Sequence, residues 1–230
     1  MAGRQRRTTF LFPLFLAVAA LDAVFWRHAM PGPGVWAWMA MIVAQFAIRA
    51  PWVGAVRDNV VHESRRDLGE NLLLGLAFAG MLVIPLVAIG TPLLAFADYA
   101  TPPAQLWAGI AVVLPGLWLF HRSHADLGRH WSPCLELHAA QSLVTTGIYA
   151  RIRHPMYAAI WLLCLAQALL LGNAIAGPAG LVAFALMYAI RLPREEAMLA
   201  ARFGPEWDAY ARRSGRLWPR PAAPTATDPR

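Results

Sequence analysis

The segment Thr145–Tyr157, TTGIYARIRHPMY, gathers four rings (Tyr149, His154, Pro155, Tyr157) and two guanidiniums (Arg151, Arg153) within nine residues. Phenol, imidazole and guanidinium groups donate hydrogen bonds to anions and polar ligands, so the segment suits a bound polar molecule. Apolar runs flank it on both sides, a setting in which polar groups need partners. Some forty residues later, RLPREEAMLAARFGPEWDAY (191–210) brings adjacent carboxylates, Glu195 and Glu196, close behind Arg191. An apolar hairpin that crosses and returns would set the two segments side by side. The resulting pocket has Arg, His and Tyr donors on one wall and carboxylates on the other. Such a lining suits a zwitterion with carboxylate and ammonium groups, together with ribose hydroxyls that donate to a carboxylate.

The elements that must hold this pocket are apolar. Hydrophobic residues make up 58% of the 230-residue chain and charged residues only 14%, which fits a multi-span membrane protein better than a soluble domain. The expected fold is all-α, a polytopic membrane helical bundle with about six spans and a C-terminal amphipathic cytoplasmic helix. The six apolar stretches are Phe10–Trp26, Val35–Val56, Asn71–Ala97, Ala104–Phe120, Tyr157–Leu171 and Ala174–Ile190. The first four approach or exceed the ~17–25 residues a spanning helix needs. The last two are short, and Gly172–Asn173 between them reads as a tight turn, with a single re-entrant helix as the alternative. Pro85, Gly90 and Pro92 predict a kink in the third stretch.

The chain has no lysine, and eighteen of its twenty arginines fall in segments that share one side if the number of spans is even. This asymmetry places both termini in the cytoplasm, gives a multi-pass cell (inner) membrane location, and accounts for the basic charge without nucleic acid. Arg4, Arg6 and Arg7 before the first stretch imitate a secretory signal, but no small-residue cleavage pattern follows, so a retained signal anchor is expected. Cys134 and Cys164 form neither a disulfide framework nor a zinc cluster. His121, His124, His130 and His138 lack carboxylate or thiol partners at a convincing spacing, and no metal is expected.

Asp22, Gln45 and Arg49 are costly residues for a bilayer and either line a substrate route or form a structural Asp22–Arg49 pair, with Arg49 snorkelling as a further option. After Ile190, Pro193 is expected in the first turn of a new helix, with Glu195 and Glu196 at dipole-favoured early positions. Leu199, Phe203 and Trp207 make an apolar stripe that Gly204–Pro205 interrupts.

The run QSLVTTGIYARIRHPMY, the hairpin, and R-x-x-x-E-E-x-x-L-x-x-x-F-G-x-x-W-x-x-Y from Arg191 to Tyr210 together resemble the isoprenylcysteine carboxyl methyltransferase family and the wider membrane-embedded phospholipid methyltransferases. The resemblance covers about Leu127 to Pro219 and divides the chain into N-terminal transmembrane helices (1–126), a cofactor-binding region with its helical hairpin (127–219) and a disordered tail (220–230). It implies S-adenosyl-L-methionine as methyl donor and a lipophilic small molecule or lipid as acceptor. Cofactor contacts are implied at Gln141, Ser142, Leu143, Val144, Tyr149, His154, Pro155, Met156, Tyr157 and Glu195. Arg191 resembles the family's substrate-facing arginine. His154 serves either as a general base or as a structural residue before Pro155, and Arg151 as a phosphate-facing anchor or a ligand contact. Gln141 stands where the isoprenylcysteine enzymes carry histidine, and Cys134 where they carry glutamine. Membrane sterol reductases share a His-Pro-x-Tyr element and use NADPH, although paired carboxylates are poor hosts for a 2′-phosphate. A non-catalytic scaffold is the third reading.

Overall fold

The computed structural model describes residues 31–55, 61–64, 68–128, 136–138 and 142–220. The first apolar stretch with Asp22, the loop residues His130, Cys134 and Gln141, and the tail beyond residue 220 lie outside them. The described chain is helical: α1 (Pro33–Ala55), α2 (Leu68–Phe78), α3 (Ile84–Gly90), α4 (Pro103–Leu127), α5 (Pro155–Leu170), α6 (Ala179–Phe203) and α7 (Pro205–Arg213). One short antiparallel pair, Val61–Ser64 with Glu136–His138, accompanies them. Two helical runs, Leu68–Gly90 and Pro103–Leu127, are long and apolar enough to cross a membrane, and Pro155–Leu170 is apolar but shorter.

Three expected elements are redrawn. The third apolar stretch is broken into segments: a π-turn (Ala79–Val83) joins α2 to α3, and a 3-10 segment (Pro92–Ala97) follows after Thr91 turns extended. Pro85 has no N–H for the helical ladder, and Pro92 starts the 3-10 turn, so the breaks fall beside the prolines. The fifth and sixth stretches are joined by a longer link than Gly172–Asn173. Asn173 organises it, its amide donating to Leu94 O (2.8 Å) and Asp98 Oδ1 (2.7 Å) while its Oδ1 accepts from the Ile175 and Ala176 amides (3.0 and 2.8 Å). Finally, no helix starts at Pro193. α6 runs through it for 25 residues, so Glu195 and Glu196 are interior residues whose charges are met by side chains rather than by a helix N-terminus. Gly204, at φ 50°, and Pro205 do end that helix and begin α7.

Helix α5 lies close against α4 because glycines line the contact. A Cβ at Gly109 would meet Leu170 Cδ2 at 2.8 Å, and one at Gly116 would meet Leu163 Cδ2 at 2.9 Å. On the same helix, the buried Gln167 donates from Nε2 to Gly80 O (3.0 Å) and Ala176 O (2.9 Å), and accepts from Trp38 Nε1 (3.4 Å). Gly80 belongs to the π-turn, where the i→i−4 ladder is interrupted, so Gln167 satisfies backbone oxygen that the helix leaves available.

The chain after α7, residues 214–220, forms a C-terminal strap stitched to the segment before α5. Gly215 N donates to Arg151 O (2.9 Å), Arg153 N to Gly215 O (2.8 Å) and His154 N to Arg216 O (3.0 Å). Side chains add to this: Tyr210 donates to Tyr149 O (2.7 Å), Arg153 Nη1 to Ala211 O (2.8 Å), and Arg216 Nη2 to Glu196 Oε2 (2.7 Å). Burial opposes ionisation of Glu196, but hydrogen bonds and charge from His154 and Arg216 outweigh it and hold its carboxyl at about 2, against an ordinary 4.5.

Two outcomes follow. Gln167→Leu should destabilise the protein by roughly 1–2 kcal/mol in a denaturation series, since the backbone oxygens lose a donor within an apolar core. Because the Glu196 carboxyl is depressed, its contribution to strap docking is fully present above pH 4.5 and is lost as pH falls through about 2. Hydrogen exchange of the strap amides, corrected for intrinsic rate, should show this acid loosening, and Glu196→Gln should show reduced protection already at neutral pH.

Candidate functional site

Four helices contribute one face each to a single cavity of about 400 Å³. α1 presents Ile42, Gln45, Phe46 and Arg49, and α2 with its π-turn presents Leu74, Ala77, Phe78 and Met81. Both sets follow the i, i+3, i+4, i+7 spacing that places residues on one face of a helix. α6 adds Phe184, Met187, Arg191, Glu195 and Met198, and α5 adds Pro155, Met156, Tyr157 and Ile160. Trp207 and Tyr210 of α7 close one end. The cavity volume lies within the ~300–1,000 Å³ common for small-molecule sites.

The expected site residues that the structure describes all line this cavity: Ser142, Leu143, Val144, Tyr149, His154, Pro155, Met156, Tyr157, Arg191 and Glu195. The two polar segments therefore meet. His154 Nδ1 lies 3.8 Å from Glu195 Oε1, and its Nε2 lies 3.1 Å from Glu196 Oε1. The Tyr157 hydroxyl donates to Glu195 Oε2 at 2.6 Å. Tyr157 is in turn held by ring contacts with Phe184 and Tyr188, whose centroids lie 6.0 and 5.8 Å away. With an imidazole nitrogen toward each carboxylate and little solvent exposure, His154 has the geometry of a bridge between two acids.

The loop from Ser142 to Ala150 is fastened to the last turns of α4. Asp126 accepts from Ile148 N (2.7 Å) and from Arg122 Nη2 (2.6 Å), and Gly147 sits against that carboxylate at φ 59°. A side chain at Gly147 would both strain the backbone and strike Asp126. Tyr149 donates its hydroxyl to Ser123 O (3.2 Å), which leaves the ring as the part it can offer a ligand. Burial pushes the Tyr149 phenol far above its ordinary value and that of Tyr210 to about 12, so both remain neutral donors.

At the other end, Arg191 Nε lies 3.3 Å from Oε1 of the fully buried Glu70 on α2, and the Arg49 guanidinium carbon sits 5.3 Å from the centre of the Phe120 ring. Arg49 thus lines the cavity, as the substrate-route reading requires, and Asp22 of the alternative pair lies outside the described residues. Glu70 is the residue at this site that the sequence does not announce. Glu70 gives no local signal because its partner Arg191 is over a hundred residues away, whereas the juxtaposition of Glu196 with Glu195 was visible but gave no clue that the two face different partners. Among the described residues, no cluster of His, Cys, Asp and Glu could hold a metal ion.

Parts of the chain are similar to known proteins. The phospholipid methyltransferase family model matches residues 104–206. The nickel-cobalt-cadmium resistance protein NccN of Alcaligenes xylosoxydans xylosoxydans is 32% identical over 120 residues, covering 50% of this chain and 53% of that protein. Protein-S-isoprenylcysteine O-methyltransferase of Schizosaccharomyces pombe is 34% identical over 71 residues, or 31% of this chain and 30% of that one. The chain spans about half the length, or less, of these curated relatives. Among solved structures, the eukaryotic intramembrane Ras methyltransferase ICMT superposes with a TM-score of 0.58 at 19% identity, covering 88% of this chain and 72% of that one. Residues 104–206 are thus similar to the phospholipid methyltransferases, and the helical fold of the chain is similar to that of the intramembrane methyltransferase.

Proposed function

We propose that the chain is an integral membrane methyltransferase that uses S-adenosyl-L-methionine on a lipophilic acceptor, with about six spans and both termini in the cytoplasm. The observation that carries this reading is the approach of His154 and Glu195 to 3.8 Å within one cavity whose other end is apolar. The polar end fits the donor: Glu195 accepts hydroxyl hydrogen bonds, the Tyr149 and Trp207 rings offer flat surfaces, and Ser142–Val144 offer backbone groups. Phe46 and Phe78 line the apolar end yet remain 40% and 53% exposed, so that side can admit a hydrocarbon chain from lipid.

The bound donor supplies an already activated methyl group. What remains for the chain is orientation and exclusion of water. Tyr157 fixes the Glu195 carboxylate through its 2.6 Å hydrogen bond, and His154 ties that carboxylate's neighbour to the strap. Arg191, one turn of α6 before Glu195, faces the same cavity and is held by Glu70, in a position to orient an acceptor. His154, occupied by two carboxylates, acts as a positioning residue in this arrangement.

Equilibrium binding to detergent-purified protein tests the donor assignment. S-adenosylmethionine should bind, and Glu195→Gln should weaken it by roughly 1–3 kcal/mol through loss of charge-assisted bonds. Binding of NADPH in its place, or an unchanged affinity in the variant, would count against the reading. Topology is checked separately in a chain whose native Cys134 and Cys164 are replaced. Single cysteines introduced as Ala100→Cys and Arg212→Cys should be labelled from opposite sides of sealed vesicles, the latter from the cytoplasmic side.

A further inference from the structure

Arg151, in the polar segment before α5, is exposed and stands outside the cavity lining, unlike its neighbour Arg153. Its carbonyl accepts from Gly215 N at 2.9 Å, which brings the strap alongside it. Gly215 occupies a tight bend: a Cβ there would strike the Trp218 carbonyl oxygen and come within 3.0 Å of Arg220 N, so the strap folds back on itself. Arg220 in turn donates from Nη1 to Arg212 O (2.5 Å) in the last turn of α7, and the Arg213 guanidinium carbon lies 5.8 Å from the centre of the Tyr210 ring. Two distant stretches of sequence thus gather Arg151, Arg212, Arg213 and Arg220 into one exposed patch. Arg153 and Arg216 spend their charge on Glu196, but among the described residues no carboxylate lies within ion-pair distance of these four. The carboxylates of α7, Glu206 and Asp208, fall in its first turn, at the end away from the strap. The strap's apolar residues are divided as well: Leu217 packs on the core while Trp218 is 71% exposed.

An exposed indole among unpaired guanidiniums fits the head-group layer of a bilayer. His154 N bonds to Arg216 O, and the apolar α5 starts at the next residue, Pro155, so the strap lies level with the end of an apolar helix. Tryptophan favours that layer because its ring is apolar and its N–H is not. Guanidiniums pair with phosphate oxygens through two parallel hydrogen bonds, and an anionic leaflet attracts each arginine through its surface potential. We propose that the outer face of the strap and of the last turn of α7, carrying Arg151, Arg212, Arg213, Arg220 and Trp218, docks on anionic phospholipid head groups. The site lies outside the cavity and takes lipid as a surface rather than as an acceptor. It rests on the membrane reading of the chain but not on the donor assignment. Arg151 stands on one side of the seam formed by Gly215 N with Arg151 O, Arg153 N with Gly215 O and His154 N with Arg216 O, and the other three arginines stand on the far side. Phosphates held across the seam bind its closed form and so stabilise it.

The test places the full chain in bilayer discs of phosphatidylcholine alone and of phosphatidylcholine mixed with phosphatidylglycerol. Hydrogen exchange of the Gly215, Arg153 and His154 amides should slow by about fivefold or more in the anionic discs. Raised salt should remove most of that difference. Arg151→Gln, Arg212→Gln, Arg213→Gln and Arg220→Gln combined should abolish it, whereas the matching Lys set should keep part of it. Each chain is compared with itself in the two discs, so intrinsic exchange rates cancel. Equal exchange in both discs by the unaltered chain overturns the proposal even if the Gln variant fails to fold, and so does an undiminished difference in a folded Gln variant. Inorganic phosphate or a DNA duplex that slows the same amides equally in neutral discs makes this a general anion surface and overturns the assignment to lipid. If the amides respond but S-adenosylmethionine does not bind, the methyltransferase reading fails while the lipid surface stands. If the donor binds and the amides do not respond, the lipid surface alone fails. A chain that does not enter the discs removes the bilayer, and this proposal with it.

Discussion

The site depends on the way two consecutive carboxylates on α6 are divided between two tasks. Neighbouring residues on a helix point about 100° apart, so Glu195 and Glu196 face different sides, and a group must stand between them to meet both. Glu195 turns to the cavity and accepts from Tyr157 at 2.6 Å, while Glu196 turns to the strap and accepts from Arg216 at 2.7 Å. His154 stands between them at 3.8 and 3.1 Å, and its backbone amide is tied to the strap as well. One imidazole thus connects the wall of the cavity to its cover. The continuity of α6 through Pro193 is part of the same constraint: a break there would change the angular relation of Glu195 to Arg191 and separate the polar end of the cavity from the apolar one.

The polar groups form a line that runs from the strap into the hydrophobic body. Arg216 and Arg153 meet Glu196, His154 meets both acids, Tyr157 meets Glu195, and Arg191 meets Glu70. Glu70 is fully buried and Arg191 nearly so. A buried ion pair of this kind is weak evidence of added stability, because desolvating two charges offsets much of their attraction. Its value here is positional. Removing either partner would take a counter-charge from the other in low dielectric, and the pair holds the cavity's arginine in one place.

Much of the polar end was legible in the sequence because its information is local. HPMY sets a histidine at the start of α5 and a tyrosine two positions after the proline, and the F-G-P junction ends α6 through a glycine at φ 50°. The pair α5 and α6 brings the two segments together, as the sequence led one to expect. What composition could not give was the course of the backbone where side chains far away decide it. Gln167, reading as one polar residue in an apolar helix, supports a π-turn nearly ninety residues earlier, and Asn173, reading as a turn residue, ties its loop to Leu94 and Asp98. The role of Glu70 is hidden for the same reason. The expected helix start at Pro193 failed because proline is favoured in a first turn but is also tolerated inside a helix that its neighbours hold on both sides.

The two ends of the cavity have different origins in the chain. The polar end is built from α5, α6, α7 and the loop before them, most of it inside residues 104–206, where the family resemblance lies. The apolar end is built largely from α1 and α2, which lie outside it. Under the proposed function, a donor held in common would demand the same contacts from every relative, whereas acceptors would differ in head group and chain, which leaves α1 and α2 as the walls free to diverge.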